Sequence, residues 1–122
     1  MKTIKDSITI LSCDNVLECF YGINESDVEI YRILLSEGEK KIEELSSIAG
    51  KSENTTYKSL QKLMLAGIVI REKRLIRGGG YYYTYRAVNP DDVAREMKEI
   101  LENWYRKVIE TIEEFRKRYG GG

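Results

Sequence analysis

A tight turn between two short helical segments constrains the fold of this chain more than any other feature. Ile42, Leu45 and Ile48 recur at helical spacing, and Gly50 follows them as a helix terminator. Ser52 stands directly after the turn, where its hydroxyl can cap a second helix that runs to residue 63. Two short helices joined by so few residues are typical of a helix-turn-helix.

The second of these helices has one apolar face and one polar face. Thr56, Leu60 and Leu63 are spaced by four and three residues, so we expect them to point inward. The next two residues continue the apolar surface, and we expect both to pack against another element, either the first or the last helix: Met64 and Leu65. The polar side chains are left facing outward: Asn54, Thr55, Tyr57, Lys58 and Gln61.

A β-hairpin is predicted directly after the second helix. Residues 67–75 and 81–87 are rich in β-branched and aromatic side chains, and three consecutive glycines between them can adopt the positive φ angles of a tight tip. Alternation along the second strand predicts one set of side chains against the core and one set facing away: Tyr81, Tyr83, Tyr85 and Ala87 in the first set, and Tyr82, Thr84 and Arg86 in the second. The order of elements predicts a winged helix-turn-helix, a mainly α fold with a small β-hairpin (α+β).

The flanking sequences predict three more helices. Asn24 and Asp27 form a capping-box pattern, and Gly38 ends the helix that they begin. The apolar face of this helix is predicted to be Val28, Tyr31, Leu34 and Leu35. An earlier helix is predicted from residue 6 to about residue 21, with a short strand over residues 7–11 as the alternative for its start. A final helix is predicted from Asn89 and Pro90 to residue 119. We therefore expect a winged helix-turn-helix unit over residues 1–88 and a dimerisation helix in residues 89–122.

The final helix carries more apolar surface than one small winged helix can cover. Its apolar residues recur every three or four positions along one stripe. We interpret the stripe as the seam of a homodimer, with an intrachain core helix as the alternative. The predicted dimer residues are Met97, Ile100, Trp104, Val108, Ile112 and Phe115.

Positive charge is concentrated on the second helix and the hairpin. The chain as a whole has a formal net charge of zero, whereas residues 51–86 hold eight basic and two acidic residues, a net charge of +6. This distribution favours double-stranded DNA as the partner. The predicted DNA-binding residues are Lys51, Ser52, Asn54, Thr55, Tyr57, Lys58 and Lys62 on the turn and helix, with Arg71, Lys73, Arg74 and Arg77 on the hairpin. The alternative is a solvated helix face and a hairpin charged for solubility.

The composition argues against other classes of function. The chain contains no histidine, the commonest general base and metal ligand, so we expect no enzyme, no metal and no cofactor. Cys13 and Cys19 would lie too far apart on one helix for a bridge, and we interpret both as small hydrophobic residues. No stretch is long and apolar enough to suggest a membrane span, so the cytoplasm is the expected location.

Several segments in order resemble a known family of regulators. They are residues 22–27 before Tyr31, then 44–46, 52–63, 67–69 and 79–87. In these segments the chain resembles the archaeal TrmB-like and MarR-like winged-helix transcription regulators. The resemblance implies a dimer that binds promoter DNA through the second helix and the wing. Larger TrmB-type regulators carry a C-terminal sugar-binding domain, whereas this chain ends after one helix, so sugar sensing is not among the expectations.

These observations together predict a homodimeric, sequence-specific DNA-binding transcription regulator without catalysis. The alternative is a winged helix that serves as a protein–protein interaction module of a larger assembly.

Overall fold

The structure, a computed structural model, describes residues 15–121. Within this range the chain forms five helices and one antiparallel pair of strands, so the mainly α fold with a small hairpin is confirmed. The elements are α1 Val16–Tyr21, α2 Glu25–Glu37, α3 Ile42–Ala49, α4 Glu53–Leu65, β1 Val69–Leu75, β2 Tyr81–Ala87 and α5 Pro90–Tyr119. The described residues divide after Val88 into two compact units, of which the second contains α5.

Side-chain caps set the boundaries of the helices in the first unit. The Asn24 side chain accepts a hydrogen bond from the Asp27 amide at 2.9 Å, and the Asp27 carboxylate accepts one from the Asn24 amide at 3.2 Å. Ser52 Oγ accepts a hydrogen bond from the Thr55 amide at 3.1 Å and thereby begins α4. Gly50 ends α3 with a φ of 68°, a left-handed conformation that glycine adopts at little cost. The caps therefore lie where the sequence predicted them.

The first helix is shorter than predicted. Asn15 has an extended backbone and caps α1 through bonds from the Leu17 and Glu18 amides, so a continuous helix cannot pass through it. The rest of the predicted segment, including Cys13, lies outside the described residues. Cys19 is exposed and disulfide-bonded, so its interpretation as a small packing residue is wrong. The helical spacing that argued against a bridge does not hold, because α1 starts after Asn15.

The core of the first unit lies where α2, α3, α4 and the start of the hairpin meet. Its most deeply buried apolar residues are Ile23, Ile30, Leu34, Leu45, Leu60, Leu63, Ile68 and Val69. Tyr31 is also buried, and its hydroxyl donates a hydrogen bond of 2.7 Å to the Val88 carbonyl. This bond ties α2 to the chain just beyond β2.

Three predictions about apolar faces need correction. The buried face of α2 includes Ile30 and Ile33 and leaves Leu35 exposed, because its centre is rotated by about one residue from the predicted stripe. Ile48 of α3 is exposed, since the core reaches that helix only around Leu45. Leu65 is 90% exposed, because it lies about 200° around the helix from the buried Leu63 and so faces away from the core.

The hairpin is most deeply buried near its base. β1 and β2 pair in one register from Val69 opposite Ala87 to Leu75 opposite Tyr81. Tyr85 exchanges two backbone hydrogen bonds with Lys40, which precedes α3. Consequently Tyr85 is buried as predicted, but Thr84 on the opposite face is buried too and Tyr81 near the tip is 53% exposed. The predicted alternation fails because burial here depends on distance from the tip as well as on face.

The second unit consists of α5. The Asn89 side chain caps this helix by accepting a hydrogen bond from the Asp91 amide at 2.8 Å, and Pro90 occupies its first position, as predicted. The helix has 30 residues, which corresponds to a length of about 45 Å. Its large apolar side chains are mostly exposed in the single chain, including Trp104 at 63% and Phe115 at 65%.

Candidate nucleic-acid interface

The outward face of α4 is polar and unobstructed by the rest of the described chain. Thr56, Leu60 and Leu63 are buried on the opposite face, as the sequence predicted, together with Ser59. The exposed residues of the outward face are Asn54, Thr55, Lys58 and Gln61, and Tyr57 beside them is half-buried. Neither Asn54 nor Lys58 hydrogen-bonds through its side chain within the described chain, so both side chains are available to a ligand.

A buried carboxylate holds α4 against α2. Asp27 is 2% exposed, and its Oδ1 accepts a hydrogen bond of 2.6 Å from the Ser59 hydroxyl. Its Oδ2 accepts hydrogen bonds from the Asn24 amide at 3.2 Å and from Lys62 Nζ at 3.1 Å. From its position in the sequence, Asp27 is predicted only to cap α2. In the fold it also sets the position of α4, because its partners lie on both helices.

The environment of Asp27 should make the stability of the fold depend on pH. Burial by itself raises the pKa of this carboxyl, but the hydrogen bonds from Ser59, Lys62 and the Asn24 amide outweigh it, so the pKa lies below its ordinary value of 3.8. A carboxyl whose pKa is lower in the folded state than in the unfolded state stabilises the fold at pH values above the unfolded pKa. This stabilisation is lost as the pH falls through the folded pKa. We therefore expect the difference in unfolding free energy between the native chain and Asp27→Asn to shrink as the pH is lowered below 3.8. Denaturant unfolding at a series of pH values measures it, and a pH-independent difference would contradict it.

Two of the predicted DNA-binding lysines are engaged within the protein. Lys51 Nζ donates to the Ser26 carbonyl at 3.2 Å and also to the Ser26 hydroxyl. Lys62 Nζ pairs with Asp27, although its side chain is still 51% exposed. Both lysines tie the helix-turn-helix to the start of α2, so a phosphate would have to compete with these contacts.

One face of the hairpin carries cations stacked on tyrosine rings. The Arg71 guanidinium lies 4.3 Å from the centroid of the Tyr83 ring, and Lys73 Nζ lies 4.2 Å from that of Tyr81. Each cation sits over the ring diagonal to it in the strand register, which is within reach of long side chains. The alternation along β2 predicts these tyrosines against the core, whereas their pairing with cations across the strands can be recognised only once the register is known.

The opposite face of the hairpin is largely neutralised by ion pairs. Arg74 makes a bidentate contact with the Glu39 carboxylate, with its closest N–O distance at 2.7 Å. Arg86 Nε pairs with Glu72 at 3.1 Å. The hydrogen bond to Arg74 lowers the pKa of Glu39 and so keeps that carboxylate charged. Arg74 therefore differs from Arg71 and Lys73, which form no ion pair within the described residues.

The tip of the hairpin presents Arg77 on a glycine turn. The Gly79 amide donates to the Ile76 carbonyl at 3.1 Å, and Gly78 between them has a φ of 97°. A residue with a Cβ would be strained at that angle, which explains the use of glycine. Arg77 makes no hydrogen bond or ion pair to the described residues. It is the outermost cation of the hairpin.

The described residues contain no group of three or more potential metal ligands. Over the same range, no helix is both long enough and apolar enough to cross a membrane.

Comparisons with known proteins show the family of this chain and proteins of similar fold. The chain is 32% identical over 91% of its length to an uncharacterized protein of Methanocaldococcus jannaschii and covers 84% of that protein. Its fold is similar to the solved structure of a possible transcriptional regulator from Methanosarcina mazei Go1, with a TM-score of 0.68, 21% identity, and coverage of 85% of this chain and 88% of that one. A structure from the thermoacidophilic archaeon Sulfolobus tokodaii has a TM-score of 0.58 at 24% identity, with coverage of 82% and 94% respectively. Residues 17–91 match the family model described as the sugar-specific transcriptional regulator TrmB, and the chain therefore belongs to the TrmB family of transcriptional regulators.

Proposed function

We propose that this protein is a homodimeric transcription regulator that binds specific sequences of double-stranded DNA. The observation that carries the proposal is the outward polar face of α4, which lies in the same unit as a hairpin with three cations that form no ion pair within the described residues: Arg71, Lys73 and Arg77. In winged helices that bind DNA, the second helix of the motif enters the major groove and reads base edges. We assign these two roles to α4 and to the hairpin, which serves as the wing.

The side chains on the face of α4 match the chemistry of base edges. An asparagine amide can donate to and accept from an adenine, and a lysine can donate to the acceptors of a guanine. Asn54 lies in the first turn of α4 and Lys58 one turn further on, so both project from the same face of the helix. We propose Asn54, Lys58 and their neighbours Thr55 and Tyr57 as the residues that read sequence, with Ser52 at the cap near the backbone.

The cations of the wing match the chemistry of phosphates. Arg71, Lys73 and Arg77 carry charge without a carboxylate partner, and the first two lie over tyrosine rings on one face of the hairpin. Arg74 can contribute once it leaves Glu39, because an exposed ion pair contributes little to stability. We assign the same secondary role to Lys51 and Lys62, which would contact phosphates but also hold the motif together.

The homodimer is supported by the exposed apolar stripe of α5. Monomeric proteins rarely expose a continuous apolar surface of this kind, and a second copy of the helix is a suitable cover for it. Two DNA-binding units held together would contact two half-sites, which gives a regulator both affinity and specificity.

Removing wing cations should weaken binding to every DNA sequence. We expect the double replacement of Lys73 and Arg77 by alanine to reduce the slope of log affinity against log salt concentration by about two, one for each lost phosphate contact. Arg74→Ala is the matched control. The Arg74 side chain is already paired with Glu39, so its removal should have a smaller effect on the slope. Fluorescence anisotropy with labelled duplex over a range of salt concentrations measures the slopes. Unchanged slopes in the double variant would remove the wing from the interface.

Replacing residues on the face of α4 should reduce specificity. We expect Asn54→Ala and Lys58→Ala each to cost about 1–3 kcal/mol on the preferred sequence and much less on random DNA, because only base contacts distinguish the two. Gln61→Ala, further along the same exposed face, is a control with a smaller expected effect. Equal losses on both kinds of DNA would identify these residues as phosphate contacts.

A protein-interaction module is the second candidate function, because the same face of α4 could meet a protein. Retention on DNA that declines steeply with salt distinguishes the two, since counterion release gives nucleic-acid binding a characteristic salt slope. The cations on the wing favour DNA.

A further inference from the structure

The apolar stripe of α5 is symmetric about the middle of the helix. Its central six residues are separated in turn by three, four, four, four and three positions, an order that reads the same in both directions: Met97, Ile100, Trp104, Val108, Ile112 and Phe115. A two-fold axis across the helix at the level of residue 106 brings each member onto another. It places Met97 opposite Phe115, Ile100 opposite Ile112, and Trp104 opposite Val108.

The charges of α5 are not symmetric, and they complement each other end to end. The half from Pro90 to Asn103 contains five acidic and two basic residues, whereas the half from Trp104 to Tyr119 contains five basic and three acidic residues. The asymmetry is greatest at the ends, with Asp91 and Asp92 in the first turn and three basic residues, 116–118, in the last. Two such helices attract each other when the acidic half of one lies beside the basic half of the other.

We propose that α5 pairs with α5 of a second copy in the antiparallel direction, centred near residue 106. This inference rests on the proposed homodimer and specifies its geometry. The antiparallel pair places a large side chain against a smaller one at the centre, Trp104 against Val108, which fills the interface without overpacking. It also places each acidic end beside a basic end and removes from solvent side chains that the single chain leaves exposed, among them Ile112 at 54%.

A parallel pair satisfies neither condition. It would set Trp104 against Trp104 and Phe115 against Phe115, with Val108 against Val108 and Ile112 against Ile112 between them. It would also bring Asp91 and Asp92 of both copies together at one end and six basic residues together at the other. Like charges in close pairs destabilise coiled helices, so the charges oppose the parallel orientation.

The antiparallel orientation has a consequence for the DNA-binding units. Residue 90 is 16 positions from the proposed axis, so the starts of the two helices would lie about 48 Å apart along the pair at 1.5 Å per residue. In a parallel pair they would lie only about 10 Å apart. The two units therefore emerge from opposite ends of the antiparallel pair.

Disulfide cross-linking in the full-length chain tests the orientation. The variants Ile100→Cys and Ile112→Cys are co-expressed, one of them with a short tag that separates the three covalent dimers on a non-reducing gel. The antiparallel pair predicts that, after mild oxidation, covalent dimers form between tagged and untagged chains and not within either variant alone. The pair Met97→Cys with Phe115→Cys should behave in the same way. The parent chain, which retains Cys13 and Cys19, is the control.

Each outcome of this experiment has a separate meaning. Covalent dimers within each variant alone would show a parallel seam and overturn the inference while leaving the homodimer intact. Sedimentation of the parent chain is measured alongside, and a monomer at micromolar concentration would overturn both the homodimer and its orientation. If the parent chain sediments as a dimer and cross-links form only between the two different variants, both the homodimer and its antiparallel orientation are supported.

Discussion

Replacing Trp104 with glutamate should convert the protein to a monomer and lower its affinity for its preferred DNA by about 10²–10⁴-fold. Trp104 is 63% exposed in the single chain and lies at the middle of the apolar stripe of α5. A charge there would be buried between two helices without a partner, which opposes association. Once the copies separate, each DNA-binding unit meets its half-site alone and the gain from linked binding is lost. Sedimentation and DNA titration of the same sample measure the two effects.

Arg106→Gln provides the matched control for this prediction. It makes the net charge more negative by one unit, as Trp104→Glu does, but residue 106 lies about 200° around the helix from residue 104 and is exposed. We expect this variant to remain a dimer with affinity close to that of the parent. If Trp104→Glu also sediments as a dimer, the stripe is not the seam.

Replacing Asp27 with alanine should lower the free energy of unfolding by about 3 kcal/mol, because a buried carboxylate has three hydrogen-bond donors that would lose their acceptor. The Ser59 hydroxyl is itself buried and would remain unsatisfied. Since Asp27 joins α2 to α4, α4 should also lose its fixed position, and affinity for the preferred DNA should fall more than affinity for random DNA. Denaturant unfolding at neutral pH and equal protein concentration measures the change in stability.

An exposed ion pair provides the comparison for Asp27. Asp92 pairs with Arg95 at 2.9 Å on the surface of α5, where both side chains are more than half exposed. Asp92→Ala should therefore cost less than about 1 kcal/mol. Equal costs for the two alanine variants would mean that the contacts of Asp27 contribute no more than an ordinary surface pair.

Local signals in the sequence predicted most of the fold. The caps at Asn24, Ser52 and Asn89 and the terminator at Gly50 each act through hydrogen bonds or backbone angles within a few residues, so they can be read without tertiary information. The hairpin and its glycine tip were predictable for the same reason.

Features that depend on packing between elements were not predictable. The buried face of α2 turned out to include Ile30 and Ile33, because a helix with many apolar residues allows neighbouring faces that periodicity alone does not separate. Burial of Thr84 depends on how far the base of the hairpin reaches over the helices.

In the candidate site, too, local features were predictable and contacts between distant residues were not. The outward face of α4 follows from its own periodicity. By contrast, the pairing of Lys62 with Asp27 joins residues 35 positions apart, and that of Arg74 with Glu39 spans the same separation. The sequence therefore shows which residues are basic, but it could not distinguish the cations that are paired within the protein from those that are available to phosphates.

Selection of bound sequences from a random pool of duplex DNA, with the full-length protein, tests the central proposal most directly. We expect enrichment of one motif made of two related half-sites, which Asn54→Ala should lose while the parent and the Gln61→Ala control retain it. Failure to retain any duplex at low salt, or retention with no enriched motif, would contradict the proposal that this TrmB-family protein reads DNA sequence through α4 and its wing.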